Sequence, residues 1–118
     1  MDLSVLPDIL RKKSVILSGE AAWPREVAQS VINFLLQNGY AVVGVELWLP
    51  EGNAPRVVGW SDYTVKFSGN WDEYVQLNAQ HAMQELDKSG AEAGLYNLTW
   101  INQGEFDLDD NVELADLK

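Results

Sequence analysis

Apolar residues recur every three or four positions in two long segments of the chain, which is the spacing of an amphipathic helix. The first segment lies between Pro24 and Gly39, and its apolar positions are Val27, Ala28, Val31, Ile32, Leu35 and Leu36. The second runs from residue 71 to about residue 88, and its apolar positions are Trp71, Tyr74, Val75, Ala79, Ala82, Met83 and Leu86. Pro24 suits a first helical turn, and Gly39 suits a C-terminal stop. The pattern therefore predicts two long helices, each with one buried face.

Three other segments alternate with a period of two, which indicates β-strands. In residues 40–49 one parity is wholly apolar, and the other is a mixture of Val42, Gly44, Glu46 and Trp48. After the turn PEGNAP, a second strand is predicted from about Arg56 to Phe67, with a bulge or twist near Gly59. The short turn favours an antiparallel hairpin between these two strands. A third strand is predicted over residues 94–101, and one of its faces carries Tyr96, Leu98 and Trp100.

The N-terminal part of the chain carries weaker signals. Apolar and basic residues are mixed over residues 3–17, and the sequence predicts only a short helix over Asp8–Lys12, with Pro7 at its start. The stretch SGEAAWP that follows is predicted as a Gly-containing connection.

Together these elements predict an α+β fold, in which two long helices pack on one face of a small, mostly antiparallel sheet of about three to four strands. The chain has 118 residues, close to the commonest length of a single domain. We expect this domain to occupy residues 1–104. Residues 105–118 are predicted as an acidic C-terminal tail that either frays or docks through Phe106, Leu108, Val112, Leu114 and Leu117.

The chain is strongly acidic. Its 18 Asp and Glu residues and eight Lys and Arg residues give a formal charge of −10. The tail, with six acidic residues and one lysine, contributes −5 of this charge. A chain of this charge repels nucleic-acid phosphates, so we expect no nucleic-acid partner. The charge suits a basic protein partner instead, because opposite fields speed the encounter.

Composition also bounds the compartment. The chain has no cysteine, so it forms no disulfide, and this fits a reducing compartment. No apolar run approaches the ~18 residues that span a membrane. The N-terminal segment places its basic residues after the apolar ones, which is the reverse of a signal peptide. We therefore expect a soluble cytoplasmic protein that has no membrane partner.

Few residues offer catalytic or metal-binding chemistry. His81 is the only histidine, and on the second long helix it falls beside Tyr74 and Glu85. A surface ion pair with Glu85 explains this placement, and the alternative is a small enzyme or ligand-binding domain centred on His81 and Tyr74. The segment DLDDNVE resembles a calcium loop, but Val112 and Lys118 occupy the positions of its glycine and bidentate glutamate. We expect no enzyme activity, no metal and no cofactor.

Tryptophan occurs twice beside a carboxylate and a tyrosine within residues 57–76. In the second group, NWDEY, Asn70 is a good N-cap and Glu73 stands where a capping box needs it. Asp72 and Glu73 also lie where the helix dipole favours negative charge. We interpret this group as the start of the second long helix.

The first group is interpreted differently. If residues 40–49 pair with the next strand about the turn, Glu46 comes near Trp60, and Trp48 comes near Val57 or Val58. Exposed aromatic side chains beside acids are typical of a hot spot for a basic partner. We hypothesise a partner-binding site that consists of Glu46, Trp48, Trp60, Asp62 and Tyr63. A helix over this face would instead make both tryptophans core residues, and a second copy would make the face a homodimer seam.

The segments also follow one another in a suggestive order. A helix that ends in LLQNGY leads into AVVGVELWLPEGN, then into GWSDYTVKF, and then into NWDEYVQLNAQHAMQEL. This order, over residues 24–100, resembles the immunity protein 40 family of bacterial polymorphic-toxin systems. The acidic strand position of that family corresponds here to Glu46, and its W-x-x-Y-V helix start corresponds to Trp71, Tyr74 and Val75.

The resemblance implies a function as well as an order of elements. By this analogy the chain is a small cytoplasmic antidote that binds a cognate toxin domain and occludes the toxin's active site without catalysis. An acidic surface suits a toxin with a basic active site, such as a nuclease.

Overall fold

Residues 3–51, 54–61, 65–89 and 94–106 are described by a computed structural model of the chain, with the backbone alone at residues 50, 51, 54, 55, 58–61 and 89. A 3-10 turn over Leu3–Val5 precedes the helices α1 (Asp8–Lys12), α2 (Arg25–Gln37) and α3 (Trp71–Ser89). The strands are β1 (Val15–Leu17), β2 (Glu20–Ala22), β3 (Ala41–Glu51), β4 (Ala54–Ser61) and β5 (Leu95–Ile101). The predicted α+β class and the short helix α1 are confirmed. In these ranges no helix combines the length and the apolar content needed to cross a membrane.

The described strands form two antiparallel sheets. The larger sheet has the strand order β4-β3-β5, and β1 and β2 form a separate hairpin. Trp23, which follows β2, joins this hairpin to β5. Its backbone N–H donates to the carbonyl of Tyr96 at 3.0 Å, and the Tyr96 N–H donates to the carbonyl of Trp23 at 2.7 Å. The hairpin is thereby held against the larger sheet.

One face of the larger sheet packs against both long helices. Val45 in β3 and its cross-strand partner Leu98 in β5 lie in the main core, which also includes Val42, Tyr96 and Trp100. The helices contribute Ala28, Val31, Ile32 and Leu35 from α2, and Ala79, Ala82 and Leu86 from α3. These are apolar positions that the helical spacing selected, so the prediction of two long helices on one face is confirmed.

A β-bulge near the start of β3 changes which residues face this core. Val42 pairs with Trp100 and Gly44 pairs with Thr99, so Val43 is an extra residue in β3. Val42 consequently lies in the main core. The prediction that β3 alternates strictly, with Val42 on its mixed face, is wrong because the extra residue shifts the alternation.

The stretch SGEAAWP contains half of the β1–β2 hairpin. Between the two strands Ser18 and Gly19 both have positive φ, +52° and +80°. Two consecutive residues of this kind make a turn whose twist matches that of a hairpin. The prediction that this stretch is only a Gly-containing connection is therefore wrong, because it includes the strand β2. Each strand has only three residues, too few to display an alternating pattern.

The NWDEY group forms the start of α3, as predicted. The Asn70 Oδ1 accepts a hydrogen bond from the Glu73 N–H at 3.1 Å, and the Glu73 carboxylate accepts one from the Ser68 hydroxyl at 3.2 Å. The Trp71 indole N–H donates to the carbonyl of Gly39 at 2.8 Å. Because Gly39 follows the end of α2, this bond also ties α3 to the preceding helix.

The chain leaves the sheet after β4. This strand ends at Ser61, and residues 65–67 have no strand structure. Val65 and Phe67 pack instead at the start of α3, where the ring of Phe67 meets Tyr74 edge-on with 5.6 Å between centroids. The prediction that this strand continues to Phe67 is wrong because the side chains of residues 65 and 67 are held by the helix.

A helical turn over residues 103–106 follows β5. Asn102 and Glu105 cap it reciprocally, since the Glu105 N–H donates to Asn102 Oδ1 at 2.7 Å and the Asn102 N–H donates to Glu105 Oε1 at 3.2 Å. Phe106 packs on Trp71 and Tyr74, with centroid distances of 5.6 and 5.2 Å. The rest of the predicted acidic tail, with its calcium-like segment, lies outside the described residues.

Candidate functional site

Glu46 lies on the second face of the larger sheet, turned away from the core that α2 and α3 cover. Side chains alternate between the two faces of a strand, so Val45 points into that core and Glu46 points away from it. The cross-strand partners of Glu46 are Asn97 in β5 and Trp60 in β4. We name this surface the Glu46 face. Its described residues in β3 and β5 are Gly44, Glu46, Trp48, Leu95, Asn97 and Thr99.

The register of β3 and β4 follows the predicted pairing. Glu46 lies opposite Trp60, and Trp48 lies opposite Val57. Between these two pairs β4 has one extra residue, which stands next to Gly59. The predicted bulge is therefore confirmed, and it is placed where glycine imposes the least steric restriction on the backbone.

Trp48 lies on the Glu46 face but is covered. Its side chain is 1% exposed and packs with Leu17, Ala22 and Leu95. Leu17 and Ala22 belong to the β1–β2 hairpin, which lies over this end of the face. The prediction that Trp48 presents its ring to a partner is wrong, because a hairpin that the sequence pattern did not reveal occupies the space in front of the ring.

Glu46 is half-buried, and its carboxylate lies next to the Trp48 indole. The indole N–H of Trp48 donates to Glu46 Oε1 at 3.4 Å. Glu46 is not a member of the ion pairs Arg11–Asp8, Arg25–Asp87 and Lys88–Glu85, which join described residues. A carboxylate accepts up to about four hydrogen bonds, so one indole donor leaves capacity for a cationic group. This geometry suits the binding of an arginine or lysine side chain.

Asn97 and Thr99 flank Glu46 and were not predicted as site neighbours. The Asn97 amide donates to the carbonyl of Ala21 at 2.8 Å, which fixes its orientation, and Thr99 is exposed. In the predicted strand over residues 94–101, both residues alternate with Tyr96, Leu98 and Trp100 and so lie on the opposite face. The sequence contained no local signal that this strand pairs with β3, so their position beside Glu46 could not be predicted.

The side-chain positions of three predicted members of the site are not described. The backbone of Trp60 lies in β4 and pairs with Glu46 in β3, but the position of its indole is not described. Asp62 and Tyr63 lie outside the described residues. Their membership of the site stays a prediction. Glu46 is the predicted member whose side chain is described and partly open to solvent.

His81 and Tyr74 lie in different environments on α3. Tyr74 is 9% exposed and packs among aromatic rings that include Phe67, Trp71 and Phe106. His81 is exposed and stands two turns later, about 10 Å along the helix axis. Over the described ranges, no group of three or more His, Asp or Glu side chains is arranged to hold a metal ion. This arrangement gives no support to a catalytic centre built on the two residues.

A comparison of the chain with protein-family models, with curated proteins and with solved structures finds no match. A functional interpretation of the Glu46 face therefore depends on its geometry, on the charge of the chain and on the order of segments in the sequence.

Proposed function

We propose that this chain is a toxin-neutralising immunity protein. It binds the cognate bacterial toxin domain in the cytoplasm through the Glu46 face and occludes the toxin's active site without catalysis. The observation that carries the proposal is the half-buried carboxylate of Glu46 in the middle of a sheet face, with the Trp48 indole N–H 3.4 Å from its Oε1. The resemblance of residues 24–100 to the immunity protein 40 family supports the same class of function.

Glu46 is the anchor of the proposed interface, and a toxin arginine or lysine is its counterpart. A carboxylate accepts two parallel hydrogen bonds from a guanidinium, and such charge-assisted bonds are about twice as strong as neutral ones. Because the carboxylate is half-buried, the toxin would shield the pair from water and salt more completely than a surface ion pair.

The remaining predicted residues extend this anchor. Trp60, as the cross-strand partner of Glu46, would add aromatic contact area, and Asp62 and Tyr63 would add an acid and a second ring. Trp48 lies beside Glu46 on the same face, covered by the β1–β2 hairpin, and does not contact the toxin. The formal charge of −10 would steer a basic toxin towards the chain and raise the association rate at low salt.

The test begins with the reading frame directly upstream, which on this proposal encodes a large secreted protein with a C-terminal toxin domain. That domain, with its catalytic residue inactivated, is the binding partner in the assay. Glu46→Gln removes the charge but keeps an oxygen that accepts the indole hydrogen bond. We expect it to weaken toxin binding by about 30-fold, mainly through faster dissociation, because a desolvated cation loses its counter-charge. Surface plasmon resonance measures both rates, and raising the salt concentration should slow the association of the wild-type chain.

Glu26→Gln is the matched control, because it removes the same charge from an exposed position on α2. It should change the affinity by less than about threefold. Equal affinities of the Glu46→Gln variant and the wild-type chain would contradict the role of Glu46. If the wild-type chain neither binds this toxin domain nor protects cells that express its active form, the proposed function is wrong.

A further inference from the structure

A second surface lies on the other side of the sheet, where α2 and α3 pack together and form a shallow groove. The floor of the groove is apolar and consists of Leu36, Ala79 and Met83. Its rims are primary amides, which are Asn33 on α2 and Gln76, Gln80 and Gln84 on α3. We name this surface the amide groove.

The amides form rows because they recur every four residues. Gln76, Gln80 and Gln84 repeat at this spacing along α3, and on α2 Gln29 and Gln37 stand four residues before and after Asn33. The helices run antiparallel, since Arg25 at the start of α2 bonds to Asp87 near the end of α3 at 2.7 Å. The Trp71–Gly39 hydrogen bond joins their opposite ends. The row on α3 therefore borders the groove along its length, and Asn33 borders it from α2.

The amide rims differ from the rest of the chain in charge. Asp, Glu, Lys and Arg make up 22% of the sequence, yet none of them is among the described residues that line the groove. Charge returns along the α3 row only where it ends, at Asp72 and Lys88. At one end of the groove, Arg25 and Asp87 neutralise each other in an ion pair. Two copies of a chain with a charge of −10 repel each other over most of their surface. Their repulsion is smallest where uncharged rims meet.

An amide is also complementary to itself. Each amide both donates and accepts hydrogen bonds, so a row of amides can pair with an identical row across a twofold axis. A basic partner would find no counter-charge on these rims, whereas a second copy finds matching donors and acceptors. Contact between copies would also cover Leu36 and Met83, which are only partly buried in the single chain.

We propose that the amide groove is the seam of a symmetric homodimer, with a second copy of this chain as its occupant. The seam lies on the helical side of the sheet, so dimerisation leaves the Glu46 face of each copy open. The proposal does not depend on the immunity function, because the dimer forms from this chain alone.

The test is sedimentation equilibrium of the full, untagged chain over a range of concentrations up to about 0.5 mM, which detects dimers down to millimolar affinity. We expect the mass to rise from 13.2 kDa to twice that value. Gln80→Glu places like charges on both sides of the seam and should weaken the dimer by at least about tenfold. Gln103→Glu adds the same charge at an exposed position on the turn after β5 and should leave the dimer unchanged.

The salt dependence of the dimer affinity is a second test, and its direction is opposite to that expected for toxin binding. Screening weakens the repulsion between the two acidic copies, so added salt should strengthen the dimer, whereas it should weaken binding to a basic toxin. A chain that stays at 13.2 kDa at every concentration would overturn the proposal. A dimer whose affinity does not change with Gln80→Glu would also overturn it. The same holds for a monomer whose affinity for the toxin falls with Gln80→Glu. Thermal unfolding of each variant confirms that the fold is intact.

Discussion

Replacing Trp48 with alanine distinguishes a core residue from an interface residue. The ring is 1% exposed and packs with Leu17, Ala22 and Leu95. A buried tryptophan side chain removes about 200 Å² from water, which at about 25 cal/mol per Å² corresponds to at most about 5 kcal/mol. Tryptophan-to-alanine changes in protein cores cost about 3–5 kcal/mol, because a cavity remains. We therefore expect Trp48→Ala to lower the free energy of unfolding by about 4 kcal/mol.

Urea unfolding followed by circular dichroism measures this loss, and in thermal unfolding it corresponds to a fall in Tm of about 15 °C. Val57→Ala is the matched control, since Val57 is the cross-strand partner of Trp48 but is 49% exposed. It should cost less than about 1 kcal/mol. Trp48→Phe keeps most of the ring and provides a milder measurement if the alanine variant does not fold. A loss below about 1 kcal/mol for Trp48→Ala would refute the burial of this ring and restore it as a contact residue.

Two further predictions concern the junction between α2 and α3. Trp71→Phe removes the indole donor of the 2.8 Å hydrogen bond to the carbonyl of Gly39. It should lower the free energy of unfolding in urea by about 2 kcal/mol, about half of which comes from the lost hydrogen bond. An unchanged unfolding midpoint would show that water replaces the donor without loss of stability. Gly39→Ala should cost about 1 kcal/mol because φ is +78° there, while no atom lies within 4 Å of the added Cβ. Gly39→Asn should cost less, since asparagine tolerates this conformation. An alanine variant that is more stable than the asparagine variant would contradict the explanation.

The two proposed surfaces lie on opposite sides of the larger sheet. The Glu46 face is turned away from the helices, whereas the amide groove lies between α2 and α3. Their chemistry also differs, because one centres on a carboxylate and the other on uncharged amides. Each copy in the proposed dimer would therefore retain its proposed toxin site, and Glu46→Gln should leave dimerisation unchanged.

The parts of the fold that local patterns determine were predicted from the sequence. The faces of α2 and α3 follow from apolar spacing, and the start of α3 follows from Asn70 and Glu73, which are neighbours along the chain. The pairing of Glu46 with Trp60 was also predictable, because a short turn between two strands leaves few possible registers.

Tertiary structure alone decided which residues of the Glu46 face are open to a partner. Trp48 and Glu46 share one parity of β3, yet one is sealed beneath the β1–β2 hairpin and the other is half-buried beside it. Asn97 reaches Glu46 only because β5 pairs with β3 across half the length of the chain. Burial depends on which distant segment covers a face, and an alternating pattern is the same whether that segment is present or not. Local sequence therefore determined the direction of each side chain, and long-range packing determined which of them solvent reaches.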